Sequence, residues 1–185
     1  EWVSAVAMPE LAELMSRVVW PSDLCTLDGD AMVVRETTHR FSPLSFHRNM
    51  VGRRMPVLCT ASGRAYFAFC PDTEMEQLLR VLSASADAEQ VRLARDDRLV
   101  QRMVARTRKD GYAVNDGDWK QEPHVGAIAV PLRAPDKVLG CINVVYLRRA
   151  IPAQEAVAKF LPALRQAATV IERGVSSSGS VSLGE

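Results

Sequence analysis

Two pairs of apolar, β-branched segments, one near each end of the chain, constrain the fold most. Leu24 to Asp28 and Ala31 to Thr38 flank Asp28-Gly29-Asp30. Asp and Gly tolerate the positive φ that a tight connection needs, so this pair reads as an antiparallel hairpin. Val125 to Leu132 and Val138 to Leu147 are joined by Ala134-Pro135-Asp136-Lys137 and read as a second pair. A third strand is expected over Leu44 to Arg48, followed by a loop from Gly52 to about Cys59. Strands that pair with their sequence neighbours, with helices grouped between them, exclude a doubly wound sheet. They predict an α+β domain on an antiparallel sheet.

The helical segments have their own signals. Ser4 to Val19 puts Val6, Leu11, Leu14, Met15 and Val18 on one face, and Trp20-Pro21 ends it. Thr60 is placed to cap a helix over Ala61 to Phe69, which Pro71 closes. Thr73-x-x-Glu76 has the capping-box pattern for a second helix with Met75, Leu78, Leu79 and Leu82 inward. Ser83 to Glu89 reads as a loop. The segment Asp97 to Lys109 starts acidic, ends basic, and is followed by Gly111 as a left-handed stop. Pro152 opens a last helix with Val157, Phe160, Leu161, Leu164, Ala168 and Ile171 inward. From Gly174 the chain is rich in Ser and Gly, and residues 175–185 are expected to be a disordered tail after one domain over 1–174.

Composition narrows the functional class. The 185 residues are 48% hydrophobic and 24% charged, enough for one domain with a real core. Twenty-three Lys+Arg against twenty-two Asp+Glu leave a net charge of +1, so no strong field draws the domain to nucleic acid or an anionic membrane. No apolar run is long enough for a transmembrane helix and no signal peptide is visible, which points to the cytoplasm. Cys25, Cys59, Cys70 and Cys141 form no CxxC and read as reduced, buried thiols.

Chemical motifs are sparse. There is no GxGxxG, no GxxxxGK[ST], no HExxH and no GxSxG. His39, His47 and His124 stand apart from each other and from cysteine, so neither a metal nor a cofactor is expected. Ser62-Gly63 imitates a nucleophile turn but has no readable base, and no catalytic residue is assigned. Asp116 and Asp118 are either an acid–base pair or a solvated turn. Thr60-Ala61-Ser62-Gly63 is either an anion site at a helix start or an ordinary cap. Asn143, within the apolar run Cys141 to Val145, is either aimed into a ligand cavity or on the solvent face. Asn115 poses the same choice, with a turn residue as its alternative. Arg53 and Arg54 either steer an anion or form a solvated basic loop.

Three stretches together resemble a known family. Gly52-Arg53-Arg54-Met55-Pro56-Val57-Leu58-Cys59-Thr60-Ala61-Ser62-Gly63-Arg64-Ala65 resembles the G-x-x-x-P-L-x-x-T-A-x-G-K-A segment of IclR-type transcriptional regulators. Gly111-Tyr112-Ala113-Val114-Asn115 followed by Ala127-Ile128-Ala129-Val130-Pro131-Leu132 resembles their G-Y-A-x-D and x-I-A-A-P-V segments. The strand and helix from Val138 to Gly174 complete the pattern. Asp30 to Ser42 and Leu44 to Arg48 are similar to a branch that responds to hydroxyphenylpropionate-type acids.

The resemblance implies an effector-binding domain, non-enzymatic, with about six antiparallel strands in a curved sheet flanked by helices, similar to GAF and profilin-like sensors. It implies a homodimer or homotetramer, and DNA contact only through an N-terminal winged helix-turn-helix that this chain lacks. Its ligand site would fall on the backbone of Ala61, Ser62 and Gly63, on Asn115, Ala127, Asn143 and Val145, and on the walls Leu44, Phe46, His47 and Met55. The family's acid at 115, Cys at 127 and Ser at 145 are here Asn, Ala and Val, which makes the cavity less anionic and more apolar. That favours a small aromatic carboxylate. In this reading the carboxylate meets the Ala61–Gly63 N–H groups with help from Asn143. The ring packs on Leu44, Phe46, Met55, Ala127 and Val145, and a ring hydroxyl meets His47 or Asn115. The two polar ends could be exchanged. The alternatives are a hydrolase-like enzyme using Cys59 or Ser62 and a ligand-free oligomerisation module.

Overall fold

Alternation along the central strands divides the molecule into two cores. The computed structural model describes residues 3–181, with side chains described from 5 to 177. Its strands are β1 (Ser22–Asp28), β2 (Ala31–Thr37), β3 (Arg54–Pro56), β4 (Ala113–Asp116), β5 (Val125–Ala134) and β6 (Lys137–Leu147). They form one six-stranded antiparallel sheet in the order β3-β2-β1-β6-β5-β4. The two expected hairpins are its halves, joined where Asp23 pairs with Asn143 and Cys25 with Cys141. Successive residues on a strand face opposite sides. Leu24, Ile142, Val144 and Tyr146 therefore enter one core, and Cys25, Cys141 and Val145 the other.

The first core lies under α1 (Met8–Val18) and α6 (Ala153–Val181), which supply Leu11, Leu14, Phe160, Leu164 and Ile171. A π-helical turn over Val3–Ala7 leads into α1. The second core lies under α2 (Ala61–Phe69), α3 (Asp72–Ser83), α4 (Ala88–Ala94) and α5 (Asp97–Asp110). Helix α2 rests directly on the sheet, and seven of its nine residues are buried. Its start is capped as the sequence suggests: Thr60 Oγ1 accepts from the Gly63 N–H at 3.2 Å. Helix α5 ends at Gly111 with φ 78°, the left-handed stop read from the sequence.

Several elements differ from the sequence reading. Leu44 to Arg48 is not a strand. Serine side chains there satisfy the backbone locally and compete with a ladder. Ser42 Oγ donates to the Val19 carbonyl and accepts from the Leu44 N–H, and Ser45 Oγ donates to the His47 carbonyl. The sixth strand is instead β3, inside the expected loop, where Met55 pairs with Met32 at the sheet edge. Proline at position 56 is tolerated on an edge. The Thr73 capping box is unused, because α3 starts at Asp72 with Pro71 as its N-cap and the Pro71 carbonyl accepts from Met75. Helix α4 falls partly in the expected Ser83–Glu89 loop. Asp87 Oδ1 caps it by accepting from the N–H groups of Glu89 and Gln90. The short strand β4 also went unread.

Helix α6 runs through Ser176 and Ser177 to Val181 instead of ending at Gly174. Ser177 Oγ donates back to the Arg173 carbonyl, and a Cβ on Gly174 would come within 2.5 Å of Val6. The glycine is therefore a packing residue between α6 and the N-terminal turn. Residues 182–185 of the expected tail, and the first two of the chain, lie outside the described residues.

Close approach of α2 to the chain before it rests on Gly63. A Cβ there would stand 2.1 Å from the Val57 carbonyl oxygen and 2.4 Å from Val57 Cα, both backbone atoms that cannot turn away. Gly63→Ala is expected to cost about 3 kcal/mol of stability in urea unfolding. Gly52→Ala, with φ 83° but open space around it, is expected to cost only about 1 kcal/mol from backbone strain.

Candidate functional site

The sheet face under α2 is not filled by side chains everywhere. Small residues, Ala61 and Ala127, and the short Val145 leave a gap between the sheet, the start of α2, the segment between β2 and β3, and the loop after β4. The cavity is narrow, with a volume of about 40 Å³, and opens in part to solvent. Val125, Ala127, Val145, Met50, Met55, Phe46 and Trp119 make its apolar wall. Asp23, His39, His47, Arg53, Asn115, Glu122, Asn143, Thr60 and Ser62 add polar groups.

One polar chain runs along the sheet floor. Asn143 Oδ1 accepts from the Asp23 N–H at 2.8 Å, which turns its Nδ2 towards Ser62 Oγ at 3.2 Å. Thr37 Oγ1 donates to Asp23 Oδ1 at 2.7 Å and accepts from the His39 N–H at 3.2 Å. Asp23 and His39 are almost completely buried. A second cluster lies nearer solvent. Glu122 pairs with Arg53 and, at 3.2 Å, with His47 Nε2, while the Arg53 guanidinium lies 5.0 Å from the centre of the Trp119 ring.

The expected ligand residues divide into three groups. Ala61, Ser62, Asn115, Ala127, Asn143, Val145, Phe46, His47 and Met55 line the cavity. Leu44 does not: with Leu44–Arg48 irregular, its side chain is 41% exposed. Gly63 does not either, because its N–H is taken by Thr60 and its Cα is pressed against Val57. Among those that do line it, Asn143 is already held by Asp23 and Ser62, so it is a strut of the floor before it is a ligand group. The open donors of α2 are the N–H groups of Ala61 and Ser62. Asn115 accepts from the Asp118 N–H through Oδ1 at 2.8 Å, leaving Nδ2 uncommitted.

Asp23, His39, Glu122 and Trp119 were missed. Asp23 offered one signal, an acid at the start of an apolar strand, but its partner His39 lies beyond the next strand. Asp116 and Asp118 resolve to structural roles. Asp116 Oδ1 accepts from Arg148 at 2.7 Å, and Asp118 Oδ2 accepts from Arg64 at 2.9 Å. Arg64 also donates to the Leu58 and Val114 carbonyls, tying α2 to β4. Arg54 holds the Asp28–Asp30 turn, whereas Arg53 faces the cavity.

The enzyme alternative finds no support in these groups. All four cysteines are buried and free of disulfides. Burial pushes the Cys59 thiol up to about 12, so it stays protonated at neutral pH and lacks nucleophilic character. Ser62 Oγ accepts from Asn143 and has no histidine or carboxylate hydrogen-bonded to it. Among the described residues, no group of three or more His, Cys, Asp or Glu side chains is placed to hold a metal ion, and no helix is long and apolar enough to cross a membrane.

A curved antiparallel sheet, helices on both faces and a mixed polar and apolar cavity beside a helix start define a ligand-sensing domain. The particular kind follows from comparison: residues 2–173 match the model of the bacterial transcriptional regulator IclR C-terminal domain, and the chain belongs to that family. It is 27% identical over 159 residues to the Pca regulon regulatory protein of Pseudomonas putida, which covers 85% of this chain and 53% of that protein. A transcriptional regulator from Rhodococcus sp. RHA1 superposes with a TM-score of 0.78 at 25% identity, over 93% of this chain and 67% of that one. The inducer-binding domain of a double mutant of PobR from Acinetobacter, solved as a complex with 3-hydroxy benzoic acid, superposes with a TM-score of 0.72 at 20% identity, over 93% of this chain and 98% of that one. The chain spans between about half and two thirds of the curated relatives it matches. The family is one of transcriptional regulators, not enzymes.

The state of Cys59 gives a direct check. At pH 8 the native protein is expected to react with iodoacetamide only slowly, and all four thiols are expected to react fully in 8 M urea when counted by mass spectrometry. Rapid, selective labelling of native Cys59 would reopen the enzyme reading.

Proposed function

We propose that this chain is the effector-sensing domain of a cytoplasmic IclR-type transcriptional regulator, and that its effector is a small aromatic carboxylic acid. The observation that carries this reading is the cavity itself. An apolar slot between Ala127, Val145, Met55 and Phe46 suits the faces of an aromatic ring, and Arg53 and His47 suit an acid at one end. The guanidinium is held in place by Glu122 and stacked on Trp119, so it is ordered before a ligand arrives. The open N–H groups of Ala61 and Ser62 are a second set of donors.

Two supports come from outside the chain. The PobR inducer-binding domain, of the same fold, was solved with 3-hydroxy benzoic acid. The segment Asp30 to Arg48 resembles that of MhpR, the activator of 3-(3-hydroxyphenyl)propionate catabolism. In this reading Leu44 and Gly63 leave the ligand shell, and Asn143 positions Asp23 and Ser62. The exchanged orientation is preferred, with the carboxylate towards Arg53. Effector binding favours one arrangement of a homodimer or homotetramer over another, which moves DNA-binding domains carried elsewhere in the regulator. Such transmission requires different affinities for the two arrangements.

A thermal-shift series tests it with 3-(3-hydroxyphenyl)propionate, 3-phenylpropionate, 4-hydroxybenzoate, pyruvate and glyoxylate. A ligand at a hundred times its Kd adds about 2.7 kcal/mol of stability. For a domain of this size that raises Tm by roughly 5–10 °C. The aromatic acids are expected to give this shift and the two- and three-carbon acids none; the reverse pattern would overturn the assignment. Ala127→Leu, which fills the slot, and Arg53→Gln, which removes the cation, are each expected to weaken the aromatic acids at least tenfold.

A further inference from the structure

Two buried side chains of the cavity lining each keep one polar atom that makes no hydrogen bond within the protein. Asp23 Oδ2 and His39 Nε2 make no hydrogen bond and belong to side chains that are 1% and 0% exposed. They stand 3.6 Å apart, too far for a hydrogen bond to each other. Buried polar atoms without partners are costly and uncommon, and two side by side facing one cavity call for a common partner.

The neighbouring bonds fix what each atom can do. Ser45 Oγ gives its only hydrogen to the His47 carbonyl at 2.6 Å, so at 3.0 Å it must accept from His39 Nδ1. Nδ1 therefore carries a hydrogen, and the ring is held by it. Asp23 Oδ1 is engaged by the Thr37 hydroxyl, which leaves only Oδ2 for the cavity. A buried carboxylate next to a histidine is least costly when the pair carries one proton between them and no net charge. With the proton on Nε2 the cavity meets a donor and a carboxylate acceptor. With it on Oδ2 the cavity meets an acceptor and a carboxylic donor. In either case one donor and one acceptor are presented together.

We infer that Asp23 and His39 form a clamp for a hydroxyl group on the effector, and so set its specificity and its direction in the cavity. This rests on the aromatic-acid reading above and refines it. A hydroxyl both donates and accepts, and matches the pair in either proton arrangement. An oxygen about 2.8 Å from both atoms would lie about 2.1 Å off the line joining them. A carboxylate offers acceptors alone, as does a methyl ether, and each leaves one partner unsatisfied. The acid end of the effector must then point away from Asp23, towards the Arg53 guanidinium. At His47 and Asn115, the positions first expected to take a hydroxyl, one polar atom is already taken: His47 Nε2 is engaged by Glu122, and Asn115 Oδ1 accepts from the Asp118 N–H.

Isothermal titration of the wild-type domain with three ligands tests the clamp: 3-(3-hydroxyphenyl)propionate, 3-phenylpropionate and 3-(3-methoxyphenyl)propionate. The hydroxy acid is expected to bind at least tenfold more tightly than the other two, since a site built to hydrogen-bond a hydroxyl discriminates strongly against its absence. Asp23→Ala removes the cavity-facing oxygen and leaves His39 Nε2 alone, so no donor and acceptor are presented together. It is expected to bring the hydroxy acid down to the affinity of 3-phenylpropionate, with the latter changed less than threefold. Equal binding of all three ligands to the wild type would overturn the clamp while leaving the aromatic-acid reading standing. So would a variant that loses affinity for both acids by the same factor. Binding of none of the three would overturn both. If Asp23→Ala does not fold, the wild-type comparison decides alone.

Discussion

The seam between β1 and β6 is the constraint on which the rest depends. Two local hairpins, each read from its own sequence, become one sheet only there. At the seam Asp23 faces Asn143, and the asparagine amide accepts from the aspartate backbone and donates to Ser62 on α2. A single polar side chain thus links the two halves of the sheet and the helix above them. Satisfying these groups internally is what allows a carboxylate to be buried at the centre of a mostly apolar sheet.

An irregularity in the neighbouring pair sets up the cavity. Between β1 and β2 the register slips at Leu24/Cys25, so that Cys25 opposes Val34 while Asp23 opposes Thr37. A regular ladder would put Glu36 opposite Asp23. The extra residue brings the Thr37 hydroxyl to the carboxylate and turns the chain so that His39 follows beside it. Bulges often re-aim side chains in this way, and here the result is a buried acid and a buried imidazole in the lining of one cavity. Arg53, His47 and Glu122 come from two separate loops and meet nearer solvent. The cavity therefore combines a deeply buried polar pair, a more exposed charged cluster and an apolar wall.

Helix α2 supplies the roof by packing very close to the chain before it. The absence of a Cβ at Gly63 lets the helix start sit against Val57, and Arg64 fastens the far side to β4. The residues that matched the family segment most closely, from Gly52 to Ala65, thus have two jobs. Thr60, Ala61 and Ser62 border the cavity, while Gly63 and Arg64 hold the helix in position. Proximity to Ala61 and Ser62 in sequence made Gly63 look like a ligand residue, but its side of the helix faces backbone.

Local chemistry in the sequence determined a good part of this protein. The Asp28-Gly29-Asp30 hairpin, the Thr60 cap, the Gly111 stop and the apolar, β-branched runs of β5 and β6 depend on neighbours a few residues apart, and each was legible. So was the α+β class, which follows from the order of those elements, and so were nine cavity-lining positions, through resemblance to the family. Tertiary structure decided what rested on distant partners. Leu44 to Arg48 has strand composition but finds no open edge, because Arg54–Pro56 occupies it and serines hold the intervening loop. Helix α4 depends on Gln90 reaching Val57 and Asp30. Asp23 and His39 are sixteen positions apart and become a pair only through the slipped register of β1 and β2. Hydrogen bonds and burial of this kind act through space, and a linear pattern carries no record of which distant group will be there to meet them.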